Sequence, residues 1–332
     1  MEYCYNAGLG TMYTLFTVDV EGHVGAEPVE HLIYGKTKDG KLCGIDMLMD
    51  VLDQHHMKGL FFVDIAEAWD YGEEKIADVL KHIEERGHDV GVHIHPDHMA
   101  DRERLFLSEY TRDEQYEIIG KCTDFYEKAL GHKPLAFRAG KYGANRETLD
   151  ILAELGYKVD FSEFYGQKWC HIEPPVAMVN VQKLDNGLIE IPVTSYVSLD
   201  IGIYYRHDKL DCGQSFSEFK TLVNKLEENG DGIAVLFAHS FSLIDWRRTP
   251  NAPRFKNSLK KRLEQQLDYV SKQRSLENIS LQEAIDIYEK IENKDLNADT
   301  FVTLKGIMPF FWFAGRAKTV IKSKFDIRFR KL

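Results

Sequence analysis

The strongest constraint on this chain is a regular alternation of short apolar runs with stretches of helical periodicity. The first run, Met12–Val20 (MYTLFTVDV), is rich in β-branched and aromatic residues and almost continuously apolar. A strand buried on both faces reads this way, as in a parallel sheet covered by helices. Ile45, Leu48, Met49 and Leu52 then fall at helical spacing, and GLFFV at 59–63 predicts a second strand. Helical periodicity over 74–86 precedes a third strand at 88–93. Thr111 and Glu114 form a capping box for a helix ending near Gly131, ahead of a strand at 134–138. Asn145 caps a helix closed by Gly156. Further strands are expected at 158–161, 189–194 and 233–238, with capping boxes at Ser215/Glu218 and Ser280/Glu283. Strands alternating with helices mean parallel βα units, hence an α/β fold, either a barrel or a doubly wound sheet. No linker interrupts the pattern, so residues 1–295 read as one domain.

Bulk properties exclude some functions. The net charge of −11 argues against a nucleic-acid partner, because phosphate contacts need a basic footprint. Cys4, Cys43, Cys122, Cys170 and Cys212 are odd in number and unpaired in spacing, which predicts reduced thiols. With no signal-peptide pattern and no long apolar stretch, the expected compartment is the cytoplasm. Residues 296–332 differ from the body. From Lys305 onward they carry eight Lys/Arg and one acidic residue, interleaved with PFFWF at 309–313. Such a tail allows peripheral contact with an anionic membrane surface, or packing on the acidic body or on a second copy of the chain.

The chemistry-bearing residues sit where strands end, the side on which parallel α/β folds build their sites. Asp19 and Glu21, two apart at the end of the first strand, point to one side and can share one site. His93, His95 and His98, with Asp97 among them, follow the third strand, and such a density of imidazole suits Zn²⁺ or another first-row metal. Arg138 closes the fourth strand and presents a planar fork able to orient a carboxylate. His239 ends a late strand as a candidate general acid.

Taken in order, these stations resemble the polysaccharide deacetylase family, the carbohydrate esterases of family four. FTVDVEG at 16–22 stands in place of the family's T-F-D-D, and GHDVGVH at 87–93 in place of G-H-E-I-G-x-H. FRAGKYG at 137–143, NRETLDILAELGY at 145–157, VDFS at 159–162 and LFAH at 236–239 follow in the family's order. The resemblance covers roughly residues 12 to 290 by motif order. It implies a distorted parallel (β/α) barrel and a metal-dependent hydrolase that removes an N-acyl group, acetyl first, from a sugar. It also implies a divalent metal, Zn²⁺ first, held by Glu21, His93 and a second histidine.

Three departures matter. Val20 separates the two acids, so Asp19 is either the base, with Glu21 as ligand, or itself the ligand with no base. Asp97 occupies the usual place of the second histidine, which leaves His95 or His98, with His95 preferred. Ala139-Gly140 replaces a Pro-Pro pair. These features resemble a branch linked to bacterial surface-glycan assembly. The resemblance further implies Arg138 as the group orienting Asp19 and Asp160 as the carboxylate orienting His239; Tyr142 and Trp169 are candidate sugar-stacking aromatics, with a core role equally open for Trp169. The rival expectations are a glycan-binding domain without activity, and another metal hydrolase of the amidohydrolase or phosphoesterase kind.

Overall fold

The computed structural model describes residues 12–23, 25–173, 181–200, 205–229, 232–273 and 276–289. The basic tail expected at 296–332 lies outside the described residues, as does Cys4. Strand β1 (Met12–Val20) leads to α1 (Ile45–Gln54), β2 (Gly59–Asp64), the single turn α2 (Ala68–Tyr71), α3 (Glu73–Glu85) and β3 (Asp89–Ile94). Then come α4 (Arg112–Leu130), β4 (Ala136–Ala139), α5 (Arg146–Leu155) and β5 (Val159–Asp160). Two short strands, β6 (Gln182–Lys183) and β7 (Ile189–Glu190), precede the antiparallel pair β8 (Ser195–Asp200) and β9 (Tyr205–Lys209). After α6 (Phe216–Asn229) and β10 (Gly232–His239) lies a small ladder of β11 (Ile244–Asp245) with β12 (Arg254–Phe255). Helix α7 (Asn257–Ser271), β13 (Leu276–Asn278) and α8 (Leu281–Tyr288) complete the described chain.

One sheet runs in the order β10-β1-β2-β3-β4-β5-β7-β6, with β13 beside β1. Its pairings are parallel except at the β6 edge. The sheet curls into a distorted, incomplete (β/α) barrel, as the resemblance implied. Irregular chain bridges the gap between β7 and β10. There the Val235 N–H donates to Thr194 Oγ1 at 2.8 Å, and the Leu210 N–H to Thr194 O at 2.8 Å.

The two-residue period of the strands divides their side chains between two layers. Phe16, Val18 and Val20 of β1, Phe61 and Val63 of β2, and Val90, Val92 and Ile94 of β3 join the core under the helices. The alternate residues Leu15, Leu60, Phe62, Ala136, Ile233 and Val235 form a separate core inside the barrel, plugged by Leu281, Ala284 and Ile285 of α8. Gly91 permits this inner packing, since a Cβ there would stand 2.7 Å from the Phe62 ring.

The helical caps follow the expected chemistry. Thr111/Glu114 and Ser280/Glu283 form reciprocal boxes, and Gly131 and Gly156 end their helices in the left-handed conformation. The Ser215/Glu218 pair is only half of one. Ser215 Oγ accepts from the Glu218 N–H, while the Glu218 carboxylate accepts from Tyr196 Oη at 2.8 Å. The strand expected at 189–194 shrinks to β7, because Ile191–Thr194 leave the sheet ladder to bridge the gap. Cys43, Cys122, Cys170 and Cys212 are free thiols, as expected.

Candidate active site

Each inner stripe changes character along its strand. It is apolar at the lower end and polar at the upper: Leu15-Thr17-Asp19-Glu21, Leu60-Phe62-Asp64, Gly91-His93-His95, Ala136-Arg138 and Val235-Phe237-His239. The polar ends converge on a cavity of about 510 Å³ lined by Asp19, Glu21, Glu67, His93, His95, His98, Tyr142, Lys209 and His239 among others. That size suits a small organic ligand such as a sugar unit.

At the floor lies an ion pair. Arg138 is fully buried and donates from Nη1 to Asp19 Oδ1 at 2.6 Å, from Nη2 to Thr17 Oγ1 at 3.1 Å and from Nε to Phe161 O at 3.3 Å. Its guanidinium lies 4.3 Å over the Phe62 ring, so flat apolar packing fixes the fork. Burial by itself pushes the Asp19 carboxyl up, but Arg138, helped by His93, outweighs it and holds the pKa below the usual range. Asp19 is therefore an oriented, charged carboxylate.

Beside it, Glu21, His93 and His95 present donor atoms that all lie within 4.8 Å of one another. His95 Nε2 is 2.9 Å from Glu21 Oε2, and His93 Nε2 is 3.8 Å from the same oxygen. His93 Nδ1 stands 2.8 Å from the Arg138 carbonyl oxygen, an acceptor that draws a ring N–H to Nδ1 and turns Nε2 towards the carboxylates. Burial lowers the His93 pKa, yet Asp19 and then Glu21 overcome it and raise it to about 9. Two oriented imidazoles and a carboxylate held far below its usual range fit a divalent first-row metal. Glu21 thus stands with the two histidines, while Asp19 Oδ1 is held by Arg138. Gly140 is required nearby, because a Cβ there would meet Ile94 O at 2.6 Å and His95 Cγ at 2.8 Å.

His239 Nε2 is 3.6 Å from Glu21 Oε1, and its ring stacks on Phe241 with centroids 4.8 Å apart. Burial lowers its pKa, opposed by Glu21 and reinforced by Lys209. Tyr142 lies on the wall in the left-handed region (φ 62°), next to Lys141 at φ 52°. Adjacent non-glycine residues in that region are strained, and such strain collects at functional loops.

Lys209 was not singled out from sequence. Its Nζ donates to Tyr142 Oη at 2.6 Å and lies 3.1 Å over the Phe237 ring, and burial lowers its pKa to about 8. Asp64 was missed as well, although it continues the Leu60-Phe62 stripe. Its Oδ1 accepts from the His95 N–H at 3.2 Å and the Ala66 N–H at 3.1 Å, tying the histidine turn to β2.

Three expected residues are placed elsewhere. Asp160 does not reach His239. Its oxygens accept from Ser162 Oγ at 2.7 Å and Ser162 N–H at 3.0 Å, and it shares a hydrogen bond with Glu190. Trp169 is 37% exposed and stacks on Phe106 at 4.7 Å, outside the cavity lining. His98 lines the cavity but leaves the Glu21 group, because the turn beginning at Pro96 swings it to Asp70, with Nδ1 to Oδ2 at 2.6 Å.

Residues 33–159 match the family model described as polysaccharide deacetylase. Over that stretch the chain is similar to polysaccharide deacetylases. That family consists of hydrolases acting on the C–N bonds of acetylated sugars. The match takes in His93, His95 and Arg138, while Asp19, Glu21 and His239 join them through the sheet.

Solved structures share the fold. One from Mycobacterium smegmatis, described as a polysaccharide deacetylase, is 17% identical with a TM-score of 0.57, over 89% of this chain and 96% of that one. Another from Pseudomonas aeruginosa PAO1, described likewise, is 12% identical with a TM-score of 0.52, over 82% and 89%. The Puue allantoinase is 10% identical with a TM-score of 0.53, over 84% and 91%. No curated protein matches the chain. Among the described residues no helix is long and apolar enough to cross a membrane.

Proposed function

We propose that this chain is a metal-dependent hydrolase that removes an N-acyl group, acetyl first, from a sugar of a bacterial surface glycan or its precursor. The carrying observation is the juxtaposition of the Glu21–His93–His95 donors with the Arg138-held Asp19 carboxylate on one cavity floor. Glu21, His93 and His95 would hold the metal, with Zn²⁺ the best match to the donor set. A divalent metal there supplies Lewis-acid polarisation of the acyl carbonyl and lowers the pKa of water.

Asp19 takes the proton of the attacking water, and Arg138 keeps it charged and aimed. A backbone N–H of the Lys141–Tyr142 turn would receive the developing oxyanion. His239 gives its proton to the departing nitrogen, so the amide plus water yields a carboxylic acid and a free amino sugar. Tyr142 offers an aromatic wall for the sugar ring. The free thiols and the basic, aromatic composition of the tail support a site of action at the inner face of a membrane.

The test is release of acetate or formate from N-acylated amino sugars by the full chain, before and after chelation and Zn²⁺ return. Activity should require the metal and fall about 10²–10⁴-fold in Asp19→Asn. An Asp19→Asn enzyme as active as wild type, or no release from any N-acylated sugar, would sink the reading.

A further inference from the structure

Beside the Glu21 group the cavity holds a second set of metal-ligating side chains that the proposed reaction does not use. Asp64, Glu67 and His98 offer donor atoms within 4.8 Å of one another. Asp64 and Glu67 are buried, 0% and 1% exposed, while Glu67 and His98 line the cavity and so give an ion access.

Each side chain is held from behind. Glu67 Oε2 accepts from the Gly22 N–H at 2.9 Å. Gly22 has no room for a side chain, since a Cβ would stand 2.7 Å from Pro28 and Tyr71 and 3.3 Å from Glu67 Oε1. His98 Nδ1 is tied to Asp70 at 2.6 Å, and Asp70 is in turn paired with Arg102. A carboxylate on Nδ1 orients an imidazole so that Nε2 is free as a ligand, the arrangement found behind metal-binding histidines.

The remaining oxygen is the decisive one. Asp64 Oδ1 is occupied by two backbone N–H groups, but Oδ2 is buried and has no hydrogen-bond partner among the described residues. An unpartnered buried carboxylate oxygen is costly unless a proton or a cation meets it, and an ion that enters the cavity displaces the proton. The charges that act most strongly on Glu67 are Asp64, Glu21 and Asp70, all of them negative. Two carboxylates and an imidazole are the donor chemistry of Mn²⁺, Zn²⁺ and similar ions.

We propose that Asp64, Glu67 and His98 form a second divalent-cation site beside the Glu21–His93–His95 group, so that the cavity holds two metal ions. The placement rests on that group being the first metal site, and the test separates the two. The metal-stripped full chain is titrated with Mn²⁺, and bound metal is counted calorimetrically and by electron paramagnetic resonance. Wild type should take up about two equivalents and show coupling between the ions, as neighbouring ions in two-metal sites do. Glu67→Gln, which keeps the acceptor for Gly22, and His98→Ala should each retain about one equivalent and lose the coupling. His93→Ala should also retain about one, now bound at the second site.

A wild type that binds a single ion lost in His93→Ala but kept in Glu67→Gln overturns the second site and leaves the first standing. A single ion with the opposite response overturns the first site alone. Full wild-type uptake by both Glu67→Gln and His98→Ala also overturns the second site.

Discussion

The two sides of the curled sheet are built differently. From β1 to β4 the strands run nine, six, six and four residues, paired in continuous parallel register. On the other side β5, β6 and β7 have two residues each, and irregular chain around Thr194 and Leu210 completes the wall. The long strands carry Asp19, His93 and Arg138, whose relative positions must hold to fractions of an ångström for proton transfer and metal binding. The irregular side contributes Lys209, at the end of a strand outside the main sheet. On the proposed mechanism, rigid pairing fixes the reacting groups, while the loosely built wall supplies a charge beside them.

The comparison breaks most visibly at Arg138. Arg138→Met leaves the Asp19 charge buried without its partner and should cost about 3–5 kcal/mol of stability, read by chemical denaturation. Adding Asp19→Asn should recover a large part of that loss. If Arg138→Met unfolds at the wild-type midpoint, the long-strand half does not depend on this pair.

A smaller effect is expected at Lys209. His239 as acid must carry its proton, so activity falls as pH rises through its pKa. Lys209 lowers that pKa, and its removal in Lys209→Met raises it. The alkaline limb of the pH–rate profile should therefore move to higher pH, with little change in stability. An unmoved limb would show that the irregular wall does not tune the acid.

Least of all is expected from Trp169→Ala. With the ring against Phe106 and outside the cavity, KM for the sugar should change less than about twofold, since stacking on a substrate would be worth more. A tenfold rise in KM would return Trp169 to the sugar site.

What was legible in the sequence follows the same division. Apolar runs marked β1 and β2 because strands buried on both faces leave that trace, and the polar ends of β1 and β3 gave Asp19, Glu21 and the histidines. Asp64 lies one residue past the apolar run that ends at Val63, although the two-residue period of Leu60 and Phe62 extends to it. The density of histidines marks His98 for a metal, but sequence spacing does not show that the turn at Pro96 rotates it away from Glu21 and towards Asp70, Asp64 and Glu67. Lys209 left no signal, since its approach to Tyr142 and Phe237 depends on how β9 lies over β10. Asp160 sat at the expected position, but its neighbour Ser162 offers two donors at closer range than His239.

The layering of the strands has a consequence for how such a site can change over time. Structural and chemical residues alternate along the same strand, so a substitution at an upper inner position such as Glu21 or His95 leaves the layer beneath the helices untouched. A single inserted or deleted residue within β1 or β3 does the opposite. It shifts the phase, pointing Phe16 and Val18 into the cavity and Asp19 into the apolar layer. Drift by replacement is open to this fold at nearly every station, whereas changes in length are confined to the loops.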